Sequence, residues 1–276
     1  MASQQSDSAV KLQYYLVLAH LEQVLGGLYL WGFVTHIGFD WDIITRPASA
    51  KTSWYGRGAY LAARYLLLAA FVDIYFGIDN QRPTVCLVEN LFELALPALA
   101  AQSATALIVT RVIAIWDRKL LAVVLSIMGL LTQLCFVIYS LANVDTGWDP
   151  IQKSCSIQSA EDTGRVTVVF LTVDVFLLGL MVVGLRRWKN AGQAQFSLWH
   201  VLWTQGWVWL VIVTLCGVPP VVLLYLNVNQ VMNLLLLTPQ LVAIVIGATR
   251  LYRSLASFSR GESEDSAVTS CGSGGS

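Results

Sequence analysis

Residues 119–143 read KLLAVVLSIMGLLTQLCFVIYSLAN, an apolar run with no charge after Lys119. A helix needs about 20 mainly apolar residues to cross the hydrocarbon core of a bilayer, and this run supplies them. In lipid only helices and closed barrels satisfy their own backbone polar groups. The run lacks the two-residue alternation of a barrel strand, so it reads as a membrane-spanning helix. Six more stretches of the same kind occupy 14–35, 55–78, 86–115, 166–187, 201–226 and 231–253. The sequence therefore predicts an all-α membrane protein, a seven-helix bundle over 14–256. A short extracellular N-terminus (1–13) precedes the bundle, and a disordered Ser/Gly/acidic tail (257–276) follows it. Pro97, Pro219–Pro220 and Pro239 predict bends in the third, sixth and seventh spans.

Composition agrees and excludes other classes. Hydrophobic residues make up 56 % of the chain and charged residues 12 %, with a mean hydropathy of +0.64. A soluble domain carries about twice that charge. The net charge is zero, so no basic surface for nucleic acid is expected. Met1 to Lys11 lacks the pattern of a cleavable signal peptide, and the first helix is expected to serve as its own insertion signal. The five cysteines form no CxxC pair, which excludes a zinc ribbon or a thioredoxin-type motif. All five lysines (Lys11, Lys51, Lys119, Lys153, Lys189) lie in loops or termini, so no buried amine is available for a Schiff base. His20 and His36 stand about 24 Å apart along one helix and cannot share a metal. No catalytic residue, metal or cofactor is expected, and the chain reads as a non-enzyme.

Orientation follows from the basic residues. One side carries Arg46, Lys51, Arg57, Arg111, Arg118, Lys119, Arg186, Arg187, Lys189, Arg250, Arg253 and Arg260; the other carries only Lys11, Arg82, Lys153 and Arg165. This bias predicts an outside N-terminus and a cytosolic C-terminus. Cys86, at the outer start of the third helix, and Cys155, in the long outer loop after the fourth, then face an oxidising compartment. A disulfide between them would pin the loop over the bundle; two unpaired thiols are the alternative. Cys135 and Cys216 read as packing residues, and Cys271 lies in the tail.

Ionisable residues inside spans are costly and mark functional positions. Glu22 and Arg64 each fall about 12–14 Å from their helix ends on sequential helices, which predicts a buried Glu22–Arg64 ion pair. Asp73, Glu89, Glu93 and Asp174 fall in the outer half on three helices. Together with Gln240 they predict an outward-facing, hydrated cavity that would bind a cationic or hydroxyl-rich ligand or pass protons or cations. The alternative places Glu89 in the headgroup zone and the other acids in hydrogen bonds to neighbouring helices. At the inner edge, Arg111, Arg250 and Arg253 are switch candidates; ordinary snorkelling anchors are the plainer reading.

Several segments resemble one family. Trp31 to Ile44 (WGFVTHIGFDWDII), Trp54, Arg64-Tyr65, Arg111 to Arg118 (RVIAIWDR), Trp207-Val208-Trp209, Val218-Pro219-Pro220, Thr238-Pro239 and Ala248 to Leu255 (ATRLYRSL) resemble an uncharacterised family of seven-transmembrane proteins of basidiomycete fungi. The resemblance touches nearly every span and implies the seven-helix fold without an activity. His36-Ile37-Gly38 stands where that pattern usually has Thr-Leu-Asp. The plan is also similar to G-protein-coupled receptors, with Cys216-Gly217-Val218-Pro219 spaced like their sixth-helix Cys-Trp-x-Pro. Thr110 stands where they carry an acid before the arginine, and Thr238-Pro239-Gln240 where they carry Asn-Pro-x-x-Tyr. The implied function is a receptor-like sensor of an unknown extracellular small ligand, with a cytosolic signalling partner. The alternative is a proton- or cation-coupled transporter using Glu22, Arg64, Asp73 and Asp174 as a relay. Either is a multi-pass protein whose partner is the lipid bilayer, with the plasma membrane as its expected location.

Overall fold

The computed structural model describes residues 2–45, 54–77, 86–117, 119–143, 146–149, 154–157, 160–190, 208, 211–212, 215–222 and 236–272. In chain order its elements are α1 (Ala2–Thr35), α2 (Ile37–Thr45), α3 (Trp54–Gly77), α4 (Cys86–Ile115) and α5 (Leu120–Ala142). A two-stranded hairpin follows, β1 (Thr146–Asp149) and β2 (Ser154–Ile157), then α6 (Ala160–Asn190) and, after a gap in the description, α7 (Leu237–Gly272). Five helices among the described residues are long and apolar enough to cross a membrane: Leu16–Thr35, Trp54–Tyr75, Asn90–Ile115, Leu120–Ala142 and Arg165–Arg187. The architecture is compatible with an integral, multi-pass membrane protein. Of the predicted sixth span, residues 208, 211–212 and 215–222 are helical and the rest lies outside the described residues, as does the start of the seventh.

The helix α4 organises the bundle. It packs against α3, α5, α6 and α7, and its apolar span is 50 % buried where the other four are 17–33 % buried. Small residues allow this: Ala100 and Ala104 of α4 and Ala63 of α3 are fully buried, where a larger side chain would hold the backbones apart. Leu107, Val112, Leu177, Leu178, Met181 and Val245 complete the core. On the outer faces Val24, Leu28 and Trp31 of α1 and Leu121, Met128 and Ile138 of α5 are exposed. Apolar surface on this scale needs an apolar environment. Two residues past the end of α4, Asp117 has a φ of 50°, a left-handed conformation of the kind Asp tolerates at helix ends.

Several boundaries differ from the sequence reading. α1 begins at Ala2 and α7 runs to Gly272, so the segment read as a short extracellular N-terminus (1–13) and the tail read as disordered (257–276) are largely helical. Each extends a helix already nucleated by packing, and propagation costs far less than nucleation. The connection between α1 and α3 contains α2, and the connection after α5 contains the hairpin, with Trp148 opposite Cys155 in antiparallel register. Pro97 lies inside α4. Pro239, expected to bend the seventh span, instead sits in the first turn of α7, where its missing N–H costs no bond.

Cys86 opens α4, and β2, which carries Cys155, packs against that helix. The side chains of both cysteines lie outside the described residues. Peptide mapping of protein taken from the membrane under alkylation is expected to recover a Cys86–Cys155 cross-linked peptide; recovery of both thiols alkylated would reject the bridge.

Candidate functional site

A buried polar cluster forms where α1, α2, α3 and α7 meet. Arg64 of α3 is 4 % exposed and Asp40 of α2 is 1 % exposed. Arg64 Nη1 donates to Asp40 Oδ1 at 2.7 Å and to the Tyr60 hydroxyl oxygen at 2.8 Å. Tyr60 in turn donates to Asp40 Oδ1 at 2.8 Å. Arg64 Nη2 donates to the Phe33 carbonyl at 2.8 Å, and Tyr29 donates to the Arg64 carbonyl at 2.7 Å. The guanidinium also lies over the Phe33 ring, 4.6 Å from its centroid, a cation–π contact strengthened by desolvation. Tyr60 stacks on Tyr252 of α7 with centroids 5.0 Å apart, and Phe39 meets it edge-on.

The expected Glu22–Arg64 pair is therefore corrected: the partner of Arg64 is Asp40. The cause is register. Phe33 and Tyr29 lie level with Arg64, and Gly26 lies against Tyr75, where a Cβ would come 2.7 Å from the hydroxyl. Glu22 is eleven residues from Phe33, about 16 Å along α1. It sits half-buried within electrostatic reach of Glu93. Depth counted from predicted helix ends missed this because α2 adds a helical segment beyond α1. A signal was present nonetheless. Asp40 lies in the motif FDWD, and Tyr60 and Arg64 share a helix face at i, i+4.

A second polar cluster lies between α4, α5 and α6. Asp174 is 1 % exposed and Gln133 fully buried. Thr105 Oγ1 donates to Asp174 Oδ1 at 2.8 Å and Gln133 Nε2 donates to it at 3.3 Å. Gln102 Nε2 donates to the Leu130 carbonyl at 3.0 Å. Asp174 Oδ2 has no partner. Asp174 borders a void of about 10 Å³, otherwise lined by Ile108, Leu178, Ile244, Gly247, Ala248 and Leu251. That is about the room one water needs. Gln133 is a polar but uncharged residue in the apolar run 119–143, a signal that charge alone does not reveal.

The residues of the predicted outer cavity stand in different surroundings. Asp73 is half-buried on α3 and Glu93 exposed on α4, while Asp174 and Gln240 are buried; the Glu89 side chain lies outside the described residues. Acids on different helices share a cavity only when their faces converge, and here Asp174 turns inward to Thr105 and Gln133. Of the expected switch residues, Arg111 is buried, Arg253 half-buried and Arg250 exposed. Among the described residues no three of His, Cys, Asp or Glu gather as a metal site. Comparison with protein-family models and with curated proteins found no match.

Two stability outcomes follow. Asp40→Asn and Arg64→Gln should each cost about 3–5 kcal/mol, because removing one partner leaves a buried charge unpaired. The double substitution should recover part of the sum in a thermal-unfolding cycle in detergent, whereas Glu22→Gln should change stability by only about 0.5 kcal/mol. Simple additivity of the Asp40 and Arg64 losses would contradict the pairing. Asp174→Asn keeps an oxygen for Thr105 and Gln133 and should not lower the melting temperature. Asp174→Ala strands both donors and should cost about 1–3 kcal/mol by the same measurement.

Proposed function

We propose that the chain is a receptor-like sensor with seven spans, of the basidiomycete family its motifs resemble. In this reading its N-terminus is outside, its C-terminus is cytosolic, and it responds to an extracellular small ligand. The observation that carries the reading is a latch with a second bonding state at hand. Asp40 Oδ2 is buried without a partner, and so are Nε and Nη1 of Arg253 on α7. Asp40 and Arg253 lie within electrostatic reach of each other but unbonded. A modest shift of α7 would let Arg253 take the free carboxylate oxygen while Tyr252 slides on Tyr60. Discrete alternative pairings of this kind make a bundle bistable, and a ligand with different affinity for the two states selects between them.

The arrangement favours a sensor over an ion pathway. A relay through Glu22, Arg64, Asp73 and Asp174 needs neighbouring groups. Arg64 is instead bonded to Asp40, and Asp174 to Thr105 and Gln133. The test combines two measurements on purified protein. Proteoliposomes should show no proton or cation flux above protein-free liposomes. A small-molecule library should contain compounds that raise the melting temperature, by the equivalent of about 2.7 kcal/mol at a hundredfold excess over Kd. Such compounds should change the distance between spin labels at Arg250→Cys and Thr45→Cys in the wild-type background and not in Arg253→Gln. A steady flux abolished by Asp174→Asn would overturn the proposal in favour of transport.

A further inference from the structure

Arg111 lies near the end of α4, 6 % exposed, and its Nη2 has no hydrogen-bond partner. A guanidinium cannot escape this position by losing a proton. Among the described residues the only titratable group acting on it is the phenol of Tyr252, with no carboxylate in reach. Asp40 is already held by Arg64. Tyr252 is itself pressed onto α3: its ring stacks on Tyr60, and a Cβ at Gly56 would lie 3.3 Å from it. The same phenol is within electrostatic reach of Arg57 as well as Arg111. Three helices thus bring two arginines within electrostatic reach of one tyrosine, and the buried arginine has a donor to spare.

We propose that this junction of α3, α4 and α7 is a binding site for a phosphoryl anion, held by Arg111 Nη2 and the Tyr252 hydroxyl, with Arg57 adding charge. A phosphate offers several acceptor oxygens and a double negative charge, and arginine is the side chain whose planar fork matches it. Basic pockets between helices at the cytosolic face suit lipid headgroups of this chemistry, and a free phosphate monoester presents the same oxygens. Chloride or a lone carboxylate carries less charge and fewer acceptors. An occupant here would also brace Tyr252 against α3, and so would bear on the position of α7.

The experiment places the full chain in nanodiscs of phosphatidylcholine alone, or with a small fraction of phosphatidic acid or of phosphatidylserine. Separate phosphatidylcholine samples receive inorganic phosphate. Thermal unfolding is followed by tryptophan fluorescence. Phosphatidic acid, inorganic phosphate or both should raise the melting temperature, and which of them does so identifies the source of the phosphoryl group. Phosphatidylserine should have a clearly smaller effect. Arg111→Gln should weaken the binding read from the titration about tenfold or more. Lys119→Gln, an exposed charge beyond the end of α4, should leave it unchanged. Tyr252→Phe removes only the hydroxyl and should weaken binding in the same direction, which keeps the test open if Arg111→Gln does not fold. Equal shifts with phosphatidylserine would overturn the site, as would wild-type affinity in both Arg111→Gln and Tyr252→Phe, or no shift with either phosphoryl source.

Discussion

Much of this molecule is arranged around one guanidinium. Arg64 cannot discharge itself, and an unpaired arginine in a low-dielectric interior would cost several kcal/mol. Its fork is satisfied from two directions, by Asp40 and Tyr60 on one side and the Phe33 carbonyl on the other. Those bonds oblige the chain after α1 to turn at His36 and lay α2 against α3. They also set the register of α1 on α3, because Phe33 and Tyr29 must both lie level with Arg64. Tyr60 then presents the ring on which Tyr252 of α7 stacks. A single charge thereby ties the first third of the sequence to its last long helix.

The polar groups inside the bundle fall into two kinds. Around Asp174 Oδ1, and in the Arg64 cluster, donors and acceptors meet at 2.7–3.3 Å. Others are buried with capacity left over: Asp40 Oδ2, Asp174 Oδ2, Arg111 Nη2, and Nε and Nη1 of Arg253. Fully satisfied clusters make a core rigid, while groups with spare capacity are high-energy places where a proton, a water, an ion or a moved side chain finds a partner. Of the four charged residues among them, three (Asp40, Arg111 and Arg253) bear on the end of the bundle where Tyr252 meets α3. α7 is held there by ring stacking and a glycine contact more than by direct ion pairs. Such an attachment can be made and broken without unfolding the helices.

The central place of α4 has a similar origin. Its alanines at Ala100, Ala101 and Ala104 allow close approach, and Thr105 of the same stretch donates to Asp174. Trp116, just past its end, donates to the Leu180 carbonyl of α6 at 3.0 Å and lies beneath the Arg187 guanidinium. Gly184 gives the room: a Cβ there would meet the indole nitrogen at 2.7 Å. Small residues thus decide where the polar contacts can form.

Hydropathy along the chain determined the class and the positions of the long helices, because transfer of a continuous apolar run into lipid is a local property of about 20 residues. It also marked Arg64, Asp174 and Arg111 as residues needing an explanation, since a charge inside such a run is expensive wherever its neighbours lie. The sequence alone could not tell which group answers each charge. Helix rise converts an error of a few residues in a boundary, or an unforeseen segment such as α2, into a displacement larger than a hydrogen bond. Glu22 was therefore matched to Arg64 when Asp40 was its partner. Asp174, one acid of the expected cavity, is bonded instead to Thr105 and Gln133 inside the bundle. Pairing depends on register, rotation and the close approaches allowed by glycine and alanine, and these arise only when the helices pack together.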